Sequence, residues 1–407
     1  MGERERGIQF SGANIENEIK WLRVAIGNDV AMMTNSLLAW HRFEFELPAQ
    51  KKGVWVPWHL HLEAEGNGFI YVNGRCLGRY WQAGPQHDFF LPDPWLNFGS
   101  GKTNIVAISL RPMDMHHDAG FLYTLYAVAL YKLTVKRKYR EIGLAAAEAL
   151  YQRFNPHGGF IRAWGRIDES ISPIGTGLQT DNMAIIDSLM NLPLLYWASL
   201  ETGDRKYHDA AVRHADTTLK SFIRSDDSVY HAYRFDLKTG QPLGGENFCG
   251  RAVESHWSRG ASWAIYGFAL SYRYTGDKKY LAASLRVACK FNELMNGDAI
   301  PVWDFGLPSG EAPLRDTSAA AVVACACQEL EKLGAADLLI SKMKKSLLAN
   351  LCTEQYLDFD ENCPGVLREA QVGFNGAGSA QNAYTSWGDY FLMEALDREL
   401  HGVEPWW

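Results

Sequence analysis

The stretches LETGDRKY at residues 200–207 and YTGDKKY at residues 274–280 are two copies of one design. In each copy a glycine stands directly before an aspartate, which is typical of one helix ending where the next begins. Gly203 suits the left-handed position that follows a helix, because glycine adopts positive φ without strain. Asp204 suits the N-cap position, because its carboxylate accepts hydrogen bonds from free backbone N–H groups. The pattern predicts helical hairpins joined by tight turns.

Two further segments extend this repeat. Residues 131–139 (YKLTVKRKY) form another copy, and residues 331–334 (EKLG), followed by Asp337, form a weaker one. Helical hairpins that recur along a chain bury their apolar faces by stacking on one another. We therefore predict an α/α toroid over residues 113–407, with inner helices that carry a site at one mouth.

The first part of the chain has a different period. Apolar and polar residues alternate in residues 55–63, 68–74 and 103–110, and Asn73-Gly74 is a strong hairpin-turn signal. Short strands separated by glycine and proline turns indicate an antiparallel β-sandwich. The predicted architecture is multidomain β + α, with a sandwich of jelly-roll type in residues 1–112.

Composition excludes several classes of function. The net charge of -7 argues against a nucleic-acid partner or an anionic membrane partner. No stretch approaches the roughly 18 apolar residues of a membrane span, and the N-terminal residues lack the apolar core of a secretory signal. Seven scattered cysteines indicate free thiols in a reducing compartment, so we predict a cytoplasmic protein.

One carboxylate stands in an unexpected place. Asp187 lies within residues 183–197, where most of its neighbours are apolar or aromatic, so we predict it in a helix that faces a polar cavity. Burial without partners raises the pKa of a carboxyl group, and a raised pKa suits a general acid near neutral pH. The alternative is an aspartate whose oxygens are held by nearby donors. This segment alone leaves the two interpretations equal.

A second carboxylate, Asp118, stands just before the apolar stretch 121–133. An N-cap role is a strong alternative to catalysis there, because the helix dipole stabilises its charge. The same setting would keep Asp118 ionised while Asp187 stays protonated. Two carboxylates with separated pKa values are what acid/base chemistry on a glycan needs.

Cations and rings near these carboxylates suit an acidic sugar. Arg259 and Trp263 are four residues apart and so share one helix face, and arginine can bind a carboxylate through two hydrogen bonds. Trp164 and His231 lie on expected loops. His59 and His61 share one face of a strand as a metal pair would, but the sequence offers no third ligand, so no metal site is predicted.

Residues 68–81, 84–86, 91–96 and 104–106 resemble the galactose-binding-like jelly-roll domain of β-galactosidases. That module is often structural in such enzymes, so the resemblance indicates the fold more strongly than it indicates sugar binding.

Residues 113–407 resemble the unsaturated glucuronyl hydrolases of glycoside hydrolase family 88. The resemblance is carried by ordered motifs across nearly 300 residues, which are 117–121 (HDAGF), 153–161, 186–195 (IDSLMNLPLL), 257–260 (WSRG), 303–305 (WDF), 315–320 (RDTSAA) and 388–391 (GDYF). It implies an (α/α)6 barrel that acts on oligosaccharides ending in a 4,5-unsaturated uronate. The implied reaction is hydration of the C4–C5 double bond, followed by loss of the glycosidic bond. No metal or organic cofactor is implied.

The resemblance also implies roles for individual residues. Asp187 falls at the position of the acid/base and Asp118 at that of the supporting carboxylate. Five residues fall at positions that line the substrate, with Arg259 expected to act electrostatically near the uronate; they are His117, Trp164, His231, Arg259 and Trp263.

Two departures from the family pattern are visible. Cys249 stands where family members tend to have glutamine, and a thiol is a poor substitute for an amide in hydrogen bonding. The family's first helices are replaced by the β segment, which leaves about nine or ten helices of twelve. The expected barrel is therefore incomplete: open on one side, covered by the sandwich, or completed by another chain in a homo-oligomer. An inverting glycosidase and a non-catalytic carbohydrate-binding protein remain the alternative functions.

Overall fold

The computed structural model describes residues 39–52, 58–62, 64, 67–81, 87–111, 118–165, 179–360, 363, 365–373 and 382–407. The chain divides into two compact units, Met1–Asp114 and Met115–Trp407. His117 and residues 84–86 of the galactose-binding-like motif lie outside the described residues.

The first unit contains an antiparallel sheet of four strands in the order β1-β6-β3-β4, and a separate antiparallel pair of β2 with β5. The strands are β1 (Ala39–Glu46), β2 (His59–His61), β3 (Asn67–Val72), β4 (Arg75–Trp81), β5 (Asp88–Phe90) and β6 (Thr103–Arg111). Asn73 and Gly74 join β3 to β4 with φ values of 48° and 78°, which confirms the predicted hairpin. Ile70, Ile108 and Phe89 belong to one buried cluster that draws on both groups of strands.

The second unit is mainly helical, which confirms the predicted change of period. Its helices are α1 (Ala119–Tyr123), α2 (Ala129–Thr134), α3 (Arg137–Gln152), α4 (Leu192–Thr202), α5 (Arg205–Ser221), α6 (Ser258–Thr275), α7 (Lys278–Met295), α8 (Thr317–Lys332), α9 (Leu338–Leu351) and α10 (Ser386–His401). A π-helical turn, Thr124–Val128, joins α1 to α2, and a 3-10 helix, Ile186–Asn191, leads into α4. Short strands are β7 (Phe154–Asn155), β8 (Phe160–Ile161), β9 (Met183–Ile185), β10 (Ala232–Phe235) and β11 (Pro242–Glu246).

The repeated turns have the geometry that the sequence predicts. Gly203 ends α4 in the left-handed region with φ of 75°, and Asp204 accepts a hydrogen bond from the Lys206 N–H at 2.9 Å. Gly276 does the same after α6 with φ of 69°, and Asp277 accepts from the N–H at the second position of α7. The fold therefore consists of helical hairpins.

The two helices of each hairpin differ in burial. Helices α4, α6 and α8 are buried along most of their length, whereas α3, α5, α7 and α9 each bury one face. Helix α6 packs against the 3-10 helix and against α8, and α8 packs in turn against α10. The buried helices thus form an inner row and the amphipathic helices an outer row, as an α/α array requires.

Trp407 joins the first and last helices of this unit. Its indole is 2% exposed and stacks on Phe391 of α10 at a centroid distance of 5.9 Å. It also contacts the Phe121 ring of α1 at 5.7 Å, and its Nε1–H donates to the Glu394 carboxylate at 2.8 Å. A large ring and a hydrogen bond therefore fill the space between α1 and α10.

We expect Trp407→Ala to lower the free energy of unfolding by about 3–5 kcal/mol, because it leaves a cavity in the core and removes one hydrogen bond from the buried Glu394 carboxylate. Urea denaturation followed by circular dichroism measures this loss. Trp406→Ala is the matched control, since the Trp406 side chain is only partly buried. Equal stability of the two variants would contradict the assigned role of Trp407.

Candidate active site

Asp187 lies at a junction between a strand and a helix. Strand β9 ends at Ile185, and Asp187 lies in the first turn of the 3-10 helix. The predicted helix is present at Asp187, but as a 3-10 helix and not as part of the α-helix that begins at Leu192. The reason is Pro193, near the start of α4: its ring would clash with the carbonyl four residues earlier if the α-helix began further upstream. The chain instead tightens into 3-10 geometry, which gives Asp187 a fixed place at the strand end.

The Asp187 carboxyl group is largely removed from water. Its side chain keeps 20% of its accessible surface, and Oδ2 is buried with no hydrogen-bond partner among the described residues. Burial, and secondly the negative charge of Asp118, raise the pKa of Asp187 to about 7, although the positive charge of Arg259 opposes them. Such a group is partly protonated at neutral pH and can both give and take a proton.

Asp118 occupies the N-cap position of α1, but its side chain makes no capping hydrogen bond there. The alternative interpretation of Asp118 as a simple N-cap is therefore not supported. Its charge is close enough to raise the pKa of Asp187, so the structure brings the two predicted carboxylates into one electrostatic site.

His231 is a neutral hydrogen-bond donor directed at this site. Its Nδ1 accepts from the backbone N–H groups of Phe248 at 3.0 Å and Cys249 at 3.2 Å, so the ring proton resides on Nε2. Nε2 lies 3.8 Å from Oδ2 of Asp187, which is longer than a direct hydrogen bond. Burial, with a smaller contribution from the Arg259 charge, lowers the pKa of His231 to about 3, so the pair is not an ion pair.

The surroundings of His231 differ from the sequence prediction in one respect. The expected loops are partly strands, since β10 begins at Ala232 and β8 ends at Ile161. Strand β10 pairs with β9, which places His231 beside the chain that carries Asp187. Periodicity gave no indication of these strands because they are short.

Arg259 is anchored within the protein. Its Nη1 donates to Asp316 Oδ2 at 2.7 Å, to Ser318 Oγ at 3.3 Å and to the Gln371 carbonyl, and its Nη2 donates to the Val372 carbonyl at 2.8 Å. The guanidinium also lies over the Trp257 ring. Arg259 thus acts on Asp187 and His231 through its field, since its charge lowers the pKa of both.

The two predicted tryptophans lie in different surroundings. Trp164 is partly exposed and contacts the rings of His231 at 5.7 Å and Phe248 at 5.1 Å. Trp263 is 4% exposed and packs against Phe121 at 5.3 Å, so its ring belongs largely to the core. The structure therefore brings Trp164 to His231, whereas Trp263 lies beside the helix that follows Asp118.

Three neighbours of the site have no assigned role in the sequence prediction, although Trp257 and Asp316 lie in the motifs that carry the family resemblance. Trp257 lies 4.6 Å from the His231 ring, Phe248 donates to that ring through its backbone, and Asp316 holds Arg259. The position of Asp316 directly before an alanine-rich helix was a usable signal, because buried N-caps can also accept from an arginine.

Cys249 is partly buried, and desolvation of its thiol raises the pKa to about 12. His59 and His61 are both exposed, and His61 Nδ1 lies 2.9 Å from Asp88. Within the described ranges, no group of three His, Cys, Asp or Glu side chains could hold a metal ion.

No helix in the described part of the chain is long and apolar enough to cross a membrane.

The raised pKa of Asp187 predicts a pH-dependent cost to stability. The native state keeps a proton on Asp187 up to about pH 7. The unfolded chain, with an ordinary pKa of 3.8, has already released that proton at much lower pH. The free energy of unfolding should therefore fall by about 3 kcal/mol between about pH 5 and about pH 8 on account of this group. In Asp187→Asn that component should disappear. Urea denaturation of both proteins at the two pH values measures it.

Asp209→Asn serves as the control, because Asp209 lies on the outer face of α5 and its side chain is 55% exposed. Its pH dependence should match that of the unsubstituted protein. An Asp187→Asn variant with unchanged pH dependence would show that Asp187 has an ordinary pKa.

Comparison with known proteins identifies the family of the chain. The family model for the galactose-binding domain of beta-galactosidase matches residues 38–101, and that for Glycosyl Hydrolase Family 88 matches residues 101–294. The unsaturated glucuronyl hydrolase of Bacillus sp. (strain GL1) is 36% identical over 298 residues, which cover 72% of this chain and 76% of that protein. The unsaturated chondroitin disaccharide hydrolase of Streptococcus pyogenes serotype M1 is 33% identical, with 72% of each chain covered.

Solved structures of such enzymes share the fold. The crystal structure of the Bacillus sp. GL1 enzyme, described as responsible for glycosaminoglycan degradation, has a TM-score of 0.65 at 35% identity over 71% of this chain and 75% of that chain. An unsaturated glucuronyl hydrolase specific for heparin has a TM-score of 0.61 at 32% identity, with 72% and 76% covered. The predicted family and enzyme class are confirmed: the chain belongs to glycoside hydrolase family 88 and is a glycoside hydrolase of the unsaturated glucuronyl hydrolase type.

Proposed function

We propose that this enzyme removes the terminal 4,5-unsaturated uronate from oligosaccharides that polysaccharide lyases produce, and that Asp187 is its acid/base. The observation that carries the proposal is the Asp187 carboxyl group with a pKa raised to about 7 beside Asp118. Relatives support the substrate class, since a Streptococcus agalactiae enzyme variant was solved in complex with dGlcA-GalNAc6S.

The proposed reaction begins with proton transfer. Protonated Asp187 gives its proton to C4 of the enol ether, and positive charge develops at C5 and the ring oxygen. Asp118, as carboxylate, stabilises that charge. The Asp187 carboxylate then takes a proton from water, whose oxygen adds to C5. The resulting hemiketal opens to a ketone at C5, and the hemiacetal left at C1 expels the remaining oligosaccharide. One water is consumed, and Asp187 regains its proton.

Other residues of the site support this chemistry. His231 presents Nε2–H beside Asp187 and suits binding of a substrate oxygen or of the attacking water. The fixed charge of Arg259 favours an anionic uronate nearby, although its Nη atoms are already engaged by protein acceptors. Trp164 offers a partly exposed ring to a sugar face. His117 completes the proposed substrate-lining set.

The proposed architecture is an incomplete (α/α)6-type toroid over residues 113–407, preceded by a jelly-roll-like sandwich over residues 1–112. Nine helical segments of the toroid lie in the described residues if α1, the π-helical turn and α2 are counted as one. Trp407 contacts both α1 and α10, the first and last of these segments.

The reaction can be tested with an unsaturated uronyl disaccharide in D2O. Ultraviolet absorbance of the double bond should decay, and NMR early in the reaction should show deuterium at C4. Asp187→Asn should abolish the decay, whereas Asp209→Asn should not change it. Release of product with the double bond intact would show an ordinary glycosidase, and saturable binding without decay would show a carbohydrate-binding protein.

The pH dependence of kcat follows from the same group. Because Asp187 must be protonated to begin the reaction, kcat should fall about tenfold per pH unit above about pH 7. Stopped assays at saturating disaccharide across the neutral and alkaline range measure this fall. A kcat that stays constant well above neutrality would exclude Asp187 as the proton donor.

A further inference from the structure

The 3-10 helix that carries Asp187 also contacts the helix that begins after Asp118. Its last residue, Asn191, is fully buried, and Asn191 Oδ1 accepts a hydrogen bond from the Phe121 N–H at 3.1 Å. Phe121 lies in the first turn of α1, three residues after Asp118. One side-chain oxygen thus connects the element of one carboxylate to that of the other.

Close backbone packing reinforces this connection. Gly120 lies so near the 3-10 helix that a Cβ there would come within 2.2 Å of the Asn191 Cα and 2.4 Å of its carbonyl oxygen. Only a glycine fits at that separation. The start of α1 is therefore seated directly on Asn191, and a change at this contact would move Asp118 relative to Asp187.

The 3-10 helix is also close-packed against α6. A Cβ on Gly267 of α6 would lie 2.4 Å from the Leu189 Cβ. The 3-10 helix is therefore held between α1 and α6, with Asp187 near its beginning and Asn191 at its end. Asn191 Nδ2 is buried without a partner among the described residues, so the Phe121 hydrogen bond is the polar contact that its side chain makes there.

We propose that Asn191 is a positioning residue that sets the separation between the carboxyl groups of Asp118 and Asp187. Asn191 does not touch the reacting atoms in this assignment; it acts through Phe121 and Gly120. The inference deepens the proposed function, and its role in catalysis rests on that function. The geometric claim can be measured without turnover.

The direct test is the pKa of Asp187, because the Asp118 charge helps to raise it. Protein labelled with 13C at the aspartate carboxyls is titrated by NMR, and the Asp187 signal is assigned by its absence in Asp187→Asn. Asp118→Asn should lower the pKa of Asp187 by removing the charge. Asn191→Ala should lower it too, by about half a unit or more, because Asp118 moves away.

The control for a general loss of stability is Leu347→Ala, which empties a fully buried site on the outer helix α9. This variant should leave the pKa of Asp187 unchanged. If Asn191→Ala does not fold, Asn191→Ser replaces it, since the shorter hydroxyl cannot span to Phe121. The proposal is overturned if Asp118→Asn lowers the pKa of Asp187 and the Asn191 variant does not. It is also overturned if Asp118→Asn leaves the pKa of Asp187 unchanged.

Turnover provides the second readout. Asn191→Ala should lower kcat about tenfold or more with little change in KM, and the alkaline limb of its pH profile should move to lower pH. A protein that merely lost stability would keep that limb in place. Absence of turnover in the unsubstituted enzyme would reject the proposed function, while the NMR titration would still decide the role of Asn191.

Discussion

The arrangement of the site depends on the desolvation of one carboxyl group. An ionised carboxylate out of water is costly unless partners stabilise it, and among the described residues Asp187 Oδ2 has no hydrogen bond. The protein tolerates this cost because a rigid frame leaves Asp187 no other place. Pro193 prevents α4 from extending back to Asp187. Gly120 and Gly267 allow α1 and α6 to pack closely against the 3-10 helix. Because its charged form is destabilised, Asp187 has a pKa of about 7 and exchanges its proton near neutral pH.

Two neighbouring charges shift the pKa of Asp187 in opposite directions. Asp118 raises the pKa of Asp187 and Arg259 lowers it, so neither charge alone determines the result. Arg259 can hold its position because Asp316 neutralises it, while Ser318 and the Gln371 and Val372 carbonyls accept further hydrogen bonds from the guanidinium. Breaking a buried pair of this kind by removing one partner strands the other charge. Asp316 therefore helps to hold in place the positive charge that lowers the pKa of Asp187.

Much of this could be predicted from sequence where the signal was local. The glycine–aspartate turns specified the hairpins, and the apolar neighbours of Asp187 indicated its burial. Long-range pairing was beyond such reasoning. Nothing near Arg259 indicates Asp316, 57 residues later, as its partner. The strands beside His231 are too short for a period to appear, and the 3-10 geometry at Asp187 results from a proline whose effect reaches backward along the chain.

The hydrogen bond of Cys249 to His231 comes from its backbone and not from its side chain. Where family members tend to have glutamine, Cys249 contributes its backbone N–H to His231 Nδ1, and any residue other than proline supplies that donor. The neutral tautomer of His231, with Nε2–H toward Asp187, is therefore independent of the side chain at this position. A protonated thiol adds no charge and only a weak donor, so Asp187 keeps its surroundings. If the proposed function holds, the exchange of an amide for a thiol changes direct substrate contacts at this position and leaves the proposed proton-transfer residues as they are.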